Sequence, residues 1–286
     1  MGAILENTLT FLLNQSEVPQ RRIRSLYLNS YFTVVELDDA SVGASMSSYR
    51  LTANHLKERE KTLRSLLKSD PLLLQFSQPH TSSDDIARSI RAATISALSL
   101  RLLCAGTSFS VRPEPPADLF SDIESAVVIG FGGYLDRLAR RTNARKIHVS
   151  DLLYVSRRNE MDGKLAEYRQ LRPHVQFSVS DGSDSAERLR EADFASISGS
   201  TLSNDTLEPL LFAAQNCRKI VVQGQSASIH PKALFKAGVH LVVTTLKTRA
   251  ITNAAFWDST GNSLRPLLEG GLPWTYMLPK DCATAR

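Results

Sequence analysis

Ala126-Val127-Val128-Ile129-Gly130-Phe131-Gly132-Gly133-Tyr134-Leu135 decides the reading of this chain. An apolar run of strand character meets a glycine turn, and a helical pattern follows at once. Gly130, Gly132 and Gly133 can adopt φ > 0 at little cost and let a ligand approach the backbone closely. The helix beyond them would aim free N–H groups and a partial positive charge at whatever occupies the turn. The stretch therefore predicts the first wall of a nucleotide- or nucleoside-type site on a Rossmann-like sheet.

Strand-like runs recur downstream at 127–129, 146–149, 175–179, 194–197, 220–222 and 241–244. Helical patterns separate most of them, over 135–141, 165–171, 185–191, 207–215 and 232–237. Strands alternating with helices predict an α/β fold with a doubly wound parallel sheet. Upstream the pattern differs. Residues 4–15 and 17–28 read as an opening helix with a linker. Tyr31–Leu37 and Ser41–Met46 read as an antiparallel hairpin turning at Asp38-Asp39. A helix over 53–70 stops at Pro71. Ser82-Ser83-Asp84-Asp85 caps a long helix to about Leu103, with Ile86, Ile90, Ala93, Ala97 and Leu100 on one face. Pro113, Glu114, Pro115 and Pro116 break all periodicity. These features predict a smaller α+β domain over 1–112 and a Rossmann-like domain over 113–286.

Bulk composition narrows the function classes. The 286 residues are 42% hydrophobic and 22% charged, which is globular. Lys and Arg number 34 against 29 Asp and Glu, a net charge of +5 with no aromatic-interleaved basic patch, so nucleic acid is not expected as a partner. Cys104, Cys217 and Cys282 are widely spaced and odd in number, so no disulfide framework is expected. No run of apolar residues is long enough for a membrane span, and the opening residues lack a basic leader. A cytoplasmic protein acting on a small molecule is the expectation, and a homodimer is compatible with it.

The ends of the strands carry the candidate site. Asp151 follows the second Rossmann strand, twenty-one residues after Gly130, where an acidic residue can accept from ribose hydroxyls. Asp181 ends the third, where an acceptor could meet an adenine amino group. The fourth opens into Ser198-Gly199-Ser200-Thr201-Leu202-Ser203-Asn204, and the fifth into Gln223-Gly224-Gln225-Ser226. Turn and cap chemistry explains any one of these alone. Together they lie at the carboxyl edge, where open α/β sheets bind ligands. Gly130 to Leu135 lacks the last glycine of G-x-G-x-x-G, and no P-loop Lys-Ser/Thr pair follows, so triphosphate hydrolysis is not expected. S-adenosylmethionine or a related nucleoside suits the pattern at least as well as a dinucleotide. No G-x-S-x-G elbow is present, which disfavours a hydrolase.

At Ser198–Thr206 the chain resembles the Rossmann-like heavy-metal chelation family, whose usual motif reads Gly-Ser-Thr-Leu-x-Asn-Gly-Thr. Gly224-Gln225-Ser226, Pro231, Phe235 and Gly238-Val239 resemble its later Gly-Pro-Ser segment. Ala92–Leu98 resembles a helix of its partner domain, which is similar to the enolase amino-terminal fold. The resemblance covers roughly 20–275. Asp205 stands where the family has Gly, Ser96 where it has Asn, and Gln225 where it has Pro.

The family resemblance implies metal binding, for which the residues offer little. His55, His80, His148, His174, His230 and His240 include no pair at helical spacing, and no C-x-x-C occurs. No metal ligands are assigned, and a divalent metal remains the alternative ligand. His230 reads as a solvated loop residue. Arg137, Arg140, Arg141, Arg145 and Lys146 read as a solvated basic face. Two functions are therefore carried. In the first, an S-adenosylmethionine-like ligand is bound and part of it is transferred or cyclised in small-molecule biosynthesis. Gly130, Gly132, Gly133, Asp151, Asp181, Gly199 and Ser226 would then bind the ligand, and Tyr134, Ser200 and Asn204 would hold the reacting group. In the second, the protein holds a metal or metal complex without turnover.

Overall fold

Small residues govern the packing of the amino-terminal part. The computed structural model describes residues 3–15, 18, 21–29, 31–47, 58, 61, 85–105, 108–248, 251 and 272–280. Helix α1 (Ala3–Leu13) leads into β1 (Ile23–Leu28), β2 (Phe32–Leu37) and β3 (Val42–Met46), an antiparallel sheet in the order β1-β2-β3. The long helix α2 (Asp85–Ala105) lies across β2 and β3. Its buried stripe of Ala92, Ala93, Ser96 and Ala97 allows an approach so close that a Cβ on Gly43 would fall 2.0 Å from the Ala93 carbonyl. The expected hairpin is thus two strands of a three-stranded sheet. Residues 23–28 are strand rather than helix or linker: Leu26 and Leu28 are buried while Arg24 is exposed, a pleated pattern that pairing with β2 enforces. The expected helix over 53–70 falls almost wholly outside the described residues, as do Ser82-Ser83-Asp84 of its neighbour's cap.

The rest of the chain alternates as its sequence predicts. Strand β4 (Phe109–Arg112) precedes β5 (Ser125–Ile129), α3 (Gly133–Arg141), β6 (Lys146–Ser150), α4 (Arg158–Leu171), β7 (Gln176–Ser180), α5 (Ser185–Arg190) and β8 (Phe194–Ser198). Then come α6 (Leu207–Ala213), β9 (Lys219–Gln223), α7 (Lys232–Lys236), β10 (Leu241–Thr245) and β11 (Trp274–Pro279). The larger sheet is ordered β4-β11-β10-β9-β8-β5-β6-β7. Strands β5 to β10 run parallel in the Rossmann order, with the order reversing between β5 and β8. Strands β11 and β4 add an antiparallel margin that the sequence reading lacked. The larger sheet therefore takes in Phe109–Arg112, just ahead of the expected boundary at 112/113.

Both faces of the inner strands β5, β6, β8, β9 and β10 are covered and these strands are buried almost end to end, while the edge strand β7 is half exposed. Val127, Ile129, Ala195, Ile197, Ile220 and Val222 face one core, which also contains Leu9 and Leu12 of α1 and Ile90 and Ile95 of α2. Ala126, Val128, Ile147, Val149, Phe194 and Val221 face the other, under α3 and α4. The first core runs without interruption from the small sheet into the large one. Helix α1 strengthens that join: Glu208 accepts from the Ile4 N–H at 2.9 Å, and Arg91 reaches Glu6 at 2.6 Å. No helix among the described residues is long and apolar enough to cross a membrane.

Candidate functional site

The strand order reverses between β5 and β8, and open α/β sheets bind ligands at the carboxyl ends of the strands at such a point. Gly130 turns the chain there with φ +89° and donates its N–H to the Ser150 carbonyl at 2.8 Å. A Cβ at this position would lie 2.8 Å from Ser198 Cβ, so the two turns meet where only glycine fits. Gly130→Ala combines that contact with a left-handed backbone, and is expected to cost about 2 kcal/mol in urea unfolding. Gly132 is different. Its φ is −144°, it caps α3 without a side-chain bond, and an added Cβ meets nothing within 4 Å among the described residues. The open side of the turn is therefore at Gly132. Gly133 and Tyr134 follow as the first residues of α3; the Tyr134 side chain lies outside the described part.

Asp151 holds this wall in place. Its Oδ2 accepts from the Phe131 N–H at 2.6 Å, and its Oδ1 from the Leu153 N–H at 2.7 Å. One carboxylate thus ties the glycine turn after β5 to the loop after β6. Second lone pairs remain on both oxygens for an incoming hydroxyl. Asp181 stands farther out, at the end of the edge strand β7, exposed, with the Ser183 N–H 3.1 Å from Oδ1. Hydrogen bonds from Ser183 hold its carboxyl below the usual value. Between the two acids, Leu152 packs against Gly182, and Leu152 and Val155 are 67% and 75% exposed, an apolar lip at the edge of the sheet.

The turns after β8 and β9 form a second wall, and this one faces the small domain. Ser198 Oγ is 2.9 Å from Ser200 Oγ. Gly199 lies against the next turn so tightly that a Cβ would sit 2.6 Å from the Ala227 nitrogen. Ser203 Oγ donates to the Met46 carbonyl at 3.2 Å, and the Met46 N–H donates to Ser226 Oγ at 2.8 Å. Ser226 is therefore a clasp on β3. Asn204 Oδ1 accepts from the Thr206 hydroxyl at 2.6 Å and serves its own loop. The structure brings together Gly130, Asp151, Ser198 and Gly199; Asp181, Asn204 and Ser226 are turned to other partners.

The three departures from the family motif are all accommodated. Asp205 has φ +58°, the left-handed conformation that favours glycine, and its carboxylate is 3.9 Å from Arg88. Ser96 Oγ meets Ser228 Oγ at 2.6 Å, and Gln225 Oε1 accepts from the Thr245 hydroxyl at 2.6 Å.

Two further groups correct or extend the sequence reading. His230 is not a solvated loop residue. It is 3% exposed, between Phe11 of α1 and Phe109 of β4, with ring centroids at 4.4 and 5.4 Å. Burial, with Lys232 nearby, pushes it down to about 4. Lys247 escaped the sequence reading altogether. It is buried beneath the Gly224–Ser228 turn, and nothing in Thr244-Thr245-Leu246-Lys247 marks it from sequence. The basic run divides as well: Arg137 bonds Tyr276 and stacks over Trp274, and Arg140 pairs with Asp136 at 2.9 Å. Trp257 and Cys282 lie outside the described residues. Among the described residues, no three His, Cys, Asp or Glu side chains come together to hold a metal ion.

Comparison with known proteins bears on the fold. Residues 118–255 match the family model DUF364, described as "Putative heavy-metal chelation". A DUF364 protein of unknown function from Pyrococcus horikoshii superposes with TM-score 0.64 at 16% identity, covering 96% of this chain and 99% of that one. A second, from Desulfitobacterium hafniense, gives 0.57 at 13%, covering 97% and 98%. At these identities the likeness shows the fold. Spermidine synthase from Thermotoga maritima reaches only 0.34, too low to carry an argument. No curated protein matches the sequence.

Proposed function

We propose, for a chain whose residues 118–255 resemble the heavy-metal chelation family and whose whole fold is that of two of its proteins, that the crevice binds an adenosyl ligand such as S-adenosylmethionine. The reading extends to a transferase or cyclase step in specialised small-molecule biosynthesis. The observation that carries it is the first wall: a glycine turn at the point of strand reversal, pinned by Asp151 and open at Gly132. The residues fit such a ligand. Gly132 leaves room for close backbone approach, Asp151 keeps lone pairs for ribose hydroxyls, and Leu152 and Val155 offer apolar surface.

S-adenosylmethionine, when bound, supplies a sulfonium leaving group, so the protein's share of the chemistry is positioning. In this reading Asp151 fixes the turn and orients the nucleoside, while α3 directs its amino end at the crevice. Ser200, and Tyr134 at the start of α3, flank the reacting end. Ser226, engaged by Met46 of β3, acts by holding the second wall against the small domain, and Asn204 acts by fixing the turn that ends in Thr206. The chelation reading draws on the family description, and its metal would need donors outside the described residues or on the ligand itself.

Calorimetric and thermal-shift titration with S-adenosylmethionine, S-adenosylhomocysteine, NAD and divalent metals separates the two. S-adenosylhomocysteine is expected to raise the melting temperature. Asp151→Ala, which strips the acceptor from two backbone N–H groups, is expected to weaken it at least ~10-fold, about 1.4 kcal/mol. Gly132→Ala meets nothing within 4 Å among the described residues, and should weaken binding while leaving the melting temperature unchanged. Stabilisation by metal alone, unaffected by either substitution, would sink the adenosyl reading.

A further inference from the structure

Lys247 follows β10 and is 3% exposed. Its Nζ reaches the Gln225 carbonyl at 2.8 Å, Ser228 Oγ at 2.7 Å, the Thr245 carbonyl at 2.9 Å and Thr244 Oγ1 at 3.4 Å. Among the described residues no carboxylate lies in salt-bridge reach. A lysine so placed is rare, because burial without a counter-charge disfavours the ammonium. That same burial drives this group well below the ordinary lysine value. The surrounding atoms act the other way. Three short contacts match the three N–H bonds of an ammonium, and all four partners are oxygens able to accept.

The cage is itself braced. Ser228 Oγ bonds the Gln225 carbonyl at 3.0 Å and Ser96 Oγ of α2 at 2.6 Å. Thr244 Oγ1 donates to the Gly224 carbonyl at 2.9 Å, and Thr245 Oγ1 to Gln225 Oε1 at 2.6 Å. The hydroxyl protons are thereby directed away from Lys247, which leaves lone pairs facing it. The neighbouring charged groups are committed elsewhere. On α2, Arg88 pairs with Asp85, Arg91 with Glu6, and Arg101 lies near Asp39; on β9, Lys219 pairs with Asp118. His230, two residues beyond Ser228, is held neutral by burial at pH 7.

We propose that Lys247 is a built-in monovalent cation, seated in an oxygen cage that joins β10, the Gly224–Ser228 turn and α2, and that the cage vacated by a shorter side chain takes up a free monovalent cation. The ligand class is an inorganic ion such as K⁺ or a small alkylammonium that also replaces the lysine stem. The device is independent of the adenosyl reading, since its readout is the stability of the domain seam.

The test uses the full chain with Lys247→Ala and Lys247→Met. Both are expected to lower the melting temperature by about 8 °C, the size of effect that breaking a buried polar network has in a protein this large. Millimolar propylammonium or K⁺ is expected to restore at least half of the loss in Lys247→Ala, by linkage. Tetramethylammonium, too large for the cage, supplies the ionic-strength control. Lys247→Met fills the stem volume and should gain nothing from any cation. Should Lys247→Ala fail to fold, Lys247→Met still decides: a wild-type melting temperature there would mean that the cage holds no charge. Equal response of Lys247→Ala to tetramethylammonium and propylammonium would equally overturn the proposal.

Discussion

Gly43→Ala should yield no soluble, cooperatively folding protein, although the change adds a single methyl group. A Cβ at this position would lie 2.0 Å from the Ala93 carbonyl, 2.3 Å from the Ala97 nitrogen and 3.0 Å from the Ala97 Cα. All three are backbone atoms, so no rotamer change relieves the contact. Helix α2 would have to lift off β3, and β3 carries Met46, whose backbone holds Ser203 and Ser226. The expected cost is therefore more than about 4 kcal/mol, the range reserved for overpacking that cannot relax. The measurement is the soluble fraction and the near-ultraviolet dichroism of the variant. Gly132→Ala, with an open Cβ position, is the matched control. A well-folded Gly43→Ala protein would show that α2 does not approach β3 as closely as described.

The second large effect is an acid transition set by His230. Its value falls from 6.5 to about 4 on folding, because burial between Phe11 and Phe109 excludes the charged form. Between those two values the unfolded chain binds a proton that the folded chain does not. Stability is therefore full above pH 6.5 and is lost as pH falls towards 4, by about 3 kcal/mol at one unit per 1.36 kcal/mol. His148 and His240, also lowered by burial, add in the same direction. The lowered carboxylates of Asp136 and Asp193 give up their share only near and below pH 4. Comparing urea unfolding at pH 7 and pH 4.5 for wild type and His230→Phe isolates the histidine. The variant should lose markedly less stability on acidification. A parallel loss in both proteins would assign the transition to other groups.

The parts of this fold that could be read from sequence are those decided locally or by two-sided burial. Strands β5, β9 and β10 announce themselves because both faces are covered and their middles are runs of apolar, mostly β-branched residues, whereas β6, β7 and β8 alternate polar residues such as His148, Ser178 and Ser196 with apolar ones and are marked by the helical patterns between them. Gly130 announces itself because its left-handed backbone excludes other residues. Strands β4 and β11 do not. Phe109–Arg112 runs into Pro113, and Trp274–Pro279 begins after Pro273; each becomes strand through a partner far away in sequence. Strand β1 alternates imperfectly, with Ser25 at an irregularity in its pairing, so its period was hidden. In the site, the position of Asp151 was legible but its first duty, holding the Phe131 N–H, was not. Ser226 and Ser203 look like ligand contacts in a linear motif, yet the small domain claims them. His230 and Lys247 owe their burial to α1 and to the β9 and β10 turns, which no local pattern reveals.

The margin of the large sheet has a consequence for how the molecule is made. Among the described residues strand β4 has no neighbour in the sheet other than β11, and β11 also completes β10. On the ribosome, Phe109–Arg112 emerges long before Trp274–Pro279, so β4 must wait through the synthesis of every parallel strand. Until β11 arrives, β10 presents an open edge, and the segment leading out of α2 lacks its strand partner among the described residues. Long-range pairing of this kind is slow and comes late. The parallel core can form first, and the arrival of β11 is then the latch that fixes β4 into the finished sheet.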